Sequence, residues 1–123
     1  MFAILDGYRR LLEGTAFRLG CPIGNLALEI SNSHPKTRTL VVANFEGWVG
    51  AIHLILDRAS GRLPASVDRR SLAYHILATM EGAVMLARSY QSLEPFDHAI
   101  AGLRDHIERL VSDGVEWSAP RSL

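Results

Sequence analysis

The strongest hydrophobic pattern in the chain runs from Leu72 to Tyr90 and predicts a long helix that is buried on more than one side. At about 100° per residue, one face of this helix is mostly apolar, and apolar residues extend it on both flanks. Only a thin stripe of Tyr74, Glu81 and Arg88 is polar. A surface helix of a small monomer buries one apolar band against the core. A helix that is apolar nearly all round must also be covered on its other side. In a short chain that cover is expected to be a second subunit, and the pattern predicts a homodimer.

The same helical spacing predicts further helices on both sides of this segment, and no stretch alternates as a strand would. The predicted helices are Phe2–Leu19, the short Ile23–Ile30, Pro35–Ala59 and Phe96–Val111. Pro22 and Pro95 suit the first position of a helix, and Asp68 suits the cap of the central one. Asp113-Gly114 is the predicted end of the last helix, and residues 115–123 are expected to form a loose tail.

Composition fits one globular domain and excludes several classes of protein. The chain has 123 residues, of which 48% are hydrophobic, and 13 basic residues balance 13 acidic ones. A formal charge of zero is unlike the basic patch of a nucleic-acid-binding protein. Asp6, Arg9 and Arg10 exclude a signal peptide, and the apolar runs contain too many polar residues to predict a membrane span. The single cysteine cannot form an internal disulfide, so a cytoplasmic location is expected.

An aromatic and apolar patch on the third predicted helix is the first candidate for a binding site. Phe45, Trp48 and Ile52 lie beside Gly47, as in the wall of a pocket for a small, partly apolar effector. Ordinary core packing is the alternative for each of them. The polar side chains expected to turn inward and orient a ligand are Asn25, His53, His75 and Thr79. For the histidines, the alternative is a buried imidazole satisfied by a backbone carbonyl.

Cys21 is the second candidate, because it precedes a short helix whose N-terminus would lower a thiol pKa. A reactive thiol of this kind could sense electrophiles, while the alternative is a small buried hydrophobe. The five histidines show no paired spacing with cysteine or acid that marks a zinc site. We therefore predict no metal, no cofactor and no enzymatic activity.

Two blocks of the sequence resemble the C-terminal ligand-binding and dimerisation domain of TetR-type transcriptional repressors. The first is GCPIGNLA at residues 20–27, followed by His34-Pro35 and a long helix with Trp48. The second is MEGAVMLAR at residues 80–88, followed by a last helix that a proline initiates. The order and lengths match from about Leu5 to Val111.

The resemblance implies an all-α domain whose last two long helices pair with their copies in a four-helix bundle, with an effector pocket among the other helices. The implied dimer interface contains Gly82, Met85, Leu86, Ser89, Phe96, Leu103, Ile107 and Leu110. Cys21, Asn25, Phe45, Trp48, Ile52, His75 and Thr79 are the implied effector-binding residues.

The resemblance also sets an expectation for DNA, because TetR-type regulators begin with a helix-turn-helix domain that this sequence lacks. Residues 1–113 then form the effector-binding and dimerisation domain, of which 1–19 are the remainder of the helix linking it to a DNA-binding head. DNA would be bound only through that absent domain. The other interpretations are a standalone helical dimer that acts as a binding or scaffold module, and a small helical enzyme.

Overall fold

The structure, a computed structural model, describes residues 2–15, 21–30, 32–58 and 62–118, and these residues form five α-helices. The helices are α1 (Phe2–Gly14), α2 (Pro22–Ile30), α3 (Pro35–Arg58), α4 (Arg69–Tyr90) and α5 (Glu94–Ser118). No strand occurs in these ranges, so the predicted all-α class is confirmed. The predicted end of the first helix at Leu19 lies outside the described residues.

Local sequence signals explain most of the helix ends. Asp68 caps α4, since its side chain accepts a hydrogen bond from the backbone N–H of Ser71 at 3.1 Å. At the other end Gln91 adopts the left-handed conformation, and the Ser92 N–H donates to the carbonyl of Ala87 at 3.2 Å. These caps confirm that the segment around Leu72–Tyr90 is one continuous helix.

The end of α5 was predicted wrongly. The helix does not end at Asp113-Gly114 but continues to Ser118. A glycine inside a helix costs only about 1 kcal/mol relative to alanine, so Gly114 alone is a weak signal for a helix end. Residues 119–123 of the predicted tail lie outside the described part of the chain.

Helix α4 is the centre of the domain and packs against α5, α3 and α1, while α2 packs on α3. Its inner face is buried at Leu72, Ala73, Ile76, Leu77, Met80, Ala83, Val84 and Ala87. Leu5 and Leu12 of α1, Val49 and Leu56 of α3 and the apolar face of α5 complete the core. A large part of the apolar surface of α4 is therefore covered within one subunit.

Three residues predicted at the dimer interface belong to this core instead. Phe96, Leu103 and Ile107 have exposed fractions of 1%, 2% and 8% in a single chain. They lie on the one apolar face of α5, which is turned toward the core of its own subunit. Side chains so completely buried leave almost no surface for a second copy, so their placement at an interface is corrected.

Helix α1 is held against the start of α5 by a two-pronged ion pair. The Arg9 Nε donates to Asp97 Oδ1 at 2.8 Å, and its Nη2 donates to Oδ2 at 3.0 Å. This geometry is the favourable fork of a guanidinium on a carboxylate. The Arg9 guanidinium holds the pKa of Asp97 below its usual value.

Much of the apolar surface of helix α3 is exposed in a single subunit. Leu40, Val42 and Leu54 are exposed on its outer side, whereas Val41, Val49 and Leu56 are buried. By length and composition this helix could also cross a membrane, although apolar helices of soluble domains meet the same criterion. In the structure its inner side packs on α2 and α4.

Candidate functional site

A cavity of about 680 Å³ lies beside α4, lined by α2 and α4 with Phe45 of α3. Its volume is typical of sites for small organic ligands. Its apolar lining is contributed mainly by Ala27, Leu28, Phe45, Val84 and Met85. Its polar lining consists of Asn25, Glu29, Glu81, Arg88, Ser89 and Gln91. An apolar cavity with a few polar groups can bind a small molecule and orient it.

Cys21 and Glu81 meet at one side of the cavity. Cys21 is buried at the start of α2, and its Sγ accepts a hydrogen bond from the Gly24 N–H at 3.5 Å. Burial, and then the hydrogen bond with the Glu81 carboxyl, raises the pKa of Cys21 to about 11. The lowered thiol pKa expected from the helix N-terminus is therefore wrong, because burial and a neighbouring carboxylate outweigh the two backbone amides that favour the thiolate.

This pKa predicts slow alkylation of Cys21. Only the thiolate attacks an electrophile, and a pKa near 11 instead of about 8.5 leaves roughly 300-fold less thiolate at neutral pH. A small enone should modify the folded protein at least about 100-fold more slowly than it modifies the urea-unfolded protein, when intact mass is followed with time. Modification at the rate of the unfolded chain would restore the electrophile-sensor interpretation.

Three of the predicted effector residues line the cavity: Cys21, Asn25 and Phe45. The Trp48 ring lies behind Phe45, edge to face at a centroid distance of 5.9 Å, and Ile52 packs on the core. Neither residue lines the cavity. Within the aromatic and apolar patch, Phe45 therefore lines the cavity, whereas Trp48 and Ile52 pack against the core.

The histidines and Thr79 lie elsewhere. The Thr79 hydroxyl donates to the His75 carbonyl at 2.7 Å, within the helix. His75 is exposed and its ring contacts that of His106 on α5, at 5.6 Å between centroids. On α3, His53 Nδ1 lies 3.2 Å from the Asp57 carboxylate. The structure therefore places His75, Thr79 and His53 outside the cavity. No group of three or more His, Cys, Asp or Glu side chains suited to a metal ion occurs within the described ranges.

Apart from Asn25, sequence reasoning did not predict the polar residues of the cavity lining. Glu81 and Arg88 belong to the thin polar stripe of α4, and Glu29 and Gln91 showed no distinguishing pattern. Glu81 carried a usable signal, because a carboxylate flanked by Met80 and Gly82 in an otherwise apolar helix requires an explanation. Gly82, Met85 and Ser89, which were predicted at the dimer interface, also line this cavity.

A second feature of α4 is a stripe of small or exposed residues next to the cavity. His75, Ala78, Gly82 and Leu86 follow one another along the helix at helical spacing and are at least partly exposed. The ring of His75 contacts that of His106 on α5, and Gly102 lies one helical turn before His106. The stripe on α4 therefore continues onto α5 at these two residues. Outside the local helix backbone, an added Cβ at Gly82 or Gly102 would meet no atom of the described residues within 4 Å. We call these six residues the small-residue face.

The architecture defines an all-helical domain in which one central helix separates a core from a cavity and an exposed face. A family model described as "Tetracyclin repressor-like, C-terminal domain" matches residues 1–103. The chain belongs to this family, the TetR family of transcriptional regulators, and the resemblance predicted from its two sequence blocks is confirmed.

Individual relatives agree with that assignment. An uncharacterised HTH-type transcriptional regulator of Mycobacterium tuberculosis is 35% identical over 111 residues, which covers 84% of this chain and 54% of the relative. The HTH-type transcriptional repressor DhaR of Mycobacterium sp. strain GP1 is 27% identical, covering 76% of this chain and 48% of DhaR. The chain spans about half the length of these relatives.

A solved structure supports the fold. The crystal structure of a TetR transcriptional regulator from Chloroflexus aurantiacus is similar with a TM-score of 0.73 and 38% identity. The similarity covers 86% of this chain and 55% of that one.

Proposed function

We propose that this chain is the effector-binding and dimerisation domain of a cytoplasmic TetR-type regulator. The observation that carries the proposal is the cavity of about 680 Å³ beside the central helix. Its apolar wall fits the body of a small, partly apolar effector. DNA would be bound by a helix-turn-helix segment outside these 123 residues, as the HTH-type names of the relatives suggest.

The homodimer is proposed to form through the small-residue face of α4 and α5. Small side chains at Ala78, Gly82 and Gly102 let two helix pairs approach closely, while Leu86, which is 41% exposed, supplies apolar area. By helical spacing, Met85 and Ser89 on α4 and Leu110 on α5 would adjoin this face. Two copies of α4 and α5 would then form a four-helix bundle.

Gly82 connects effector binding with dimerisation, because it belongs both to the cavity wall and to the small-residue face. A bound effector that shifts α4 here would change the packing of α4 against its partner. If the effector prefers one arrangement of the dimer, binding shifts the population toward that arrangement. Helix α1, which Arg9 and Asp97 tie to α5, would carry the change toward the DNA-binding segment.

Ligand-induced stabilisation tests the cavity as a binding site. Octanol, a neutral probe with an apolar tail, should raise the melting temperature, since ligand at 100 times its dissociation constant adds about 2.7 kcal/mol of stability. Asn25→Trp, which places a large ring at the cavity wall, should abolish the shift. Leu40→Trp on the exposed outer side of α3 is the matched control and should retain it. An equal shift in the wild type and in Asn25→Trp would refute this site.

A further inference from the structure

The carboxylate of Glu81 is the least compensated polar group in the cavity wall. Its Oε1 is buried from solvent and has no hydrogen-bond partner among the described residues. Burial raises the pKa of this carboxyl above its usual value. A buried carboxylate oxygen without a partner destabilises a fold by its desolvation, so its presence in a cavity calls for a group that it can bind.

The neighbouring helix is built to let this carboxylate approach. Gly24 of α2 lies against it, and a Cβ at Gly24 would overlap Oε2 and lie 3.3 Å from Cδ of Glu81. The Cβ of Cys21 lies 3.6 Å from the same position, and the Cys21 thiol hydrogen-bonds with this carboxyl group. Contacts with α2 therefore hold the carboxylate in place without supplying a charge to balance it.

Among the described residues that line the cavity, no cation neutralises Glu81. Arg88 is the one basic residue that the described part of the chain contributes to the lining, and it stands seven residues further along α4, about 10 Å along the helix axis. Arg88 is exposed, and no ion pair joins it to Glu81 in the described part of the chain. Glu29, the second acidic residue of the lining, adds negative charge. The Glu81 end of the cavity thus complements a cation.

We propose that the effector of this cavity is a small amphiphilic amine, whose ammonium group binds the Glu81 carboxylate and whose apolar body packs on Phe45, Val84 and Met85. This inference rests on the proposed effector site and adds the chemical class of its ligand. An ammonium group supplies the donors that Oε1 lacks, and an alkylamine is protonated at neutral pH as a lysine side chain is. The apolar wall binds the remainder of the molecule by burying its surface.

Octylamine, octanol and octanoate, which share one alkyl chain, separate the head group from the body. Isothermal titration at pH 7 should show octylamine binding to the wild type at least about tenfold more tightly than octanol, because a charge-assisted hydrogen bond is involved. Glu81→Gln keeps the size of the side chain and removes its charge. This substitution should weaken the binding of octylamine by about tenfold or more and leave the affinity for octanol unchanged.

Two further variants keep the result interpretable. Glu108→Gln removes an exposed carboxylate of α5 that does not line this cavity, and it should leave octylamine affinity unchanged. Gly24→Ala should weaken the binding of octylamine but not that of octanol, because the added methyl group displaces the carboxylate end of Glu81. If circular dichroism shows that Glu81→Gln does not fold, Gly24→Ala provides a second test of the role of the Glu81 carboxylate.

The outcomes separate this inference from the proposed function. Equal affinity for octanol and octylamine, or a preference for octanoate, overturns the amine proposal and leaves a general apolar site. An octylamine affinity that Glu81→Gln does not change also overturns it. Binding of none of the three probes by the folded dimer overturns both the amine proposal and the effector site.

Discussion

Gly82→Arg is expected to convert the homodimer into a monomer or an aggregate. In light scattering coupled to size exclusion, the wild type should have twice the chain mass of 13.6 kDa, and the variant should lose that species. Because no described residue brings an atom within 4 Å of a Cβ at Gly82, apart from the adjacent residues and the backbone of α4 itself, the arginine fits an isolated chain. Between two closely packed copies of α4, however, it would be an unpaired charge and would weaken association by at least about 100-fold.

The matched control for Gly82→Arg is Gly50→Arg on α3. Gly50 is exposed, and like Gly82 it has no described residue beyond its local helix backbone within 4 Å of its Cβ position. Both substitutions replace a glycine inside a helix, so both should favour the helix by similar amounts. Loss of the dimer in both variants would point to a general effect of the added charge. A dimer that persists in Gly82→Arg would show that the small-residue face is not the interface.

Phe96→Ala is expected to cost about 3–5 kcal/mol of the free energy of unfolding. Phe96 is 1% exposed, stands in the first turn of α5 and belongs to the core that α1, α3, α4 and α5 share. Truncating it leaves a cavity in this core. The total free energy of unfolding of a domain is about 5–15 kcal/mol. The urea concentration at the midpoint of unfolding should therefore be much lower for the variant.

Leu54→Ala is the control for Phe96→Ala. Leu54 is 52% exposed on α3, so its truncation should change the free energy of unfolding by no more than about 0.5 kcal/mol. Measurement at two protein concentrations separates folding from association, because only a dimer-linked effect changes with dilution. A loss below about 1 kcal/mol for Phe96→Ala would mean that Phe96 is not a core residue and would return it to the predicted interface.

Helical periodicity predicted the existence, order and most of the bounds of the helices, because each has an apolar stripe and most, α5 excepted, have clear end signals. Pro22 and Pro35 begin α2 and α3, and Asp68 caps α4, as expected. Periodicity does not say which neighbour covers an apolar face. For α5 the face containing Phe96 and Leu103 turned out to pack within its own subunit.

The cavity was only partly predictable for a related reason. Cys21, Asn25 and Phe45 were expected at a ligand site, and the structure brings them together at the cavity. Glu81 was visible as a polar position, but its meaning depends on Gly24, which lies far away in the sequence. Such a pairing arises from how α2 packs beside α4. A single sequence holds no signal for a distance between two helices.

The outer side of α3 has a practical consequence for experiments with this protein. Leu40 is 65% exposed there, and Val42 and Leu54 are more than half exposed. The chain has no formal net charge, and its isoelectric point is near 7.0. At neutral pH there is thus little electrostatic repulsion to keep these apolar patches apart, and solubility should pass through a minimum. Buffers one or two pH units to either side should keep concentrated samples clear.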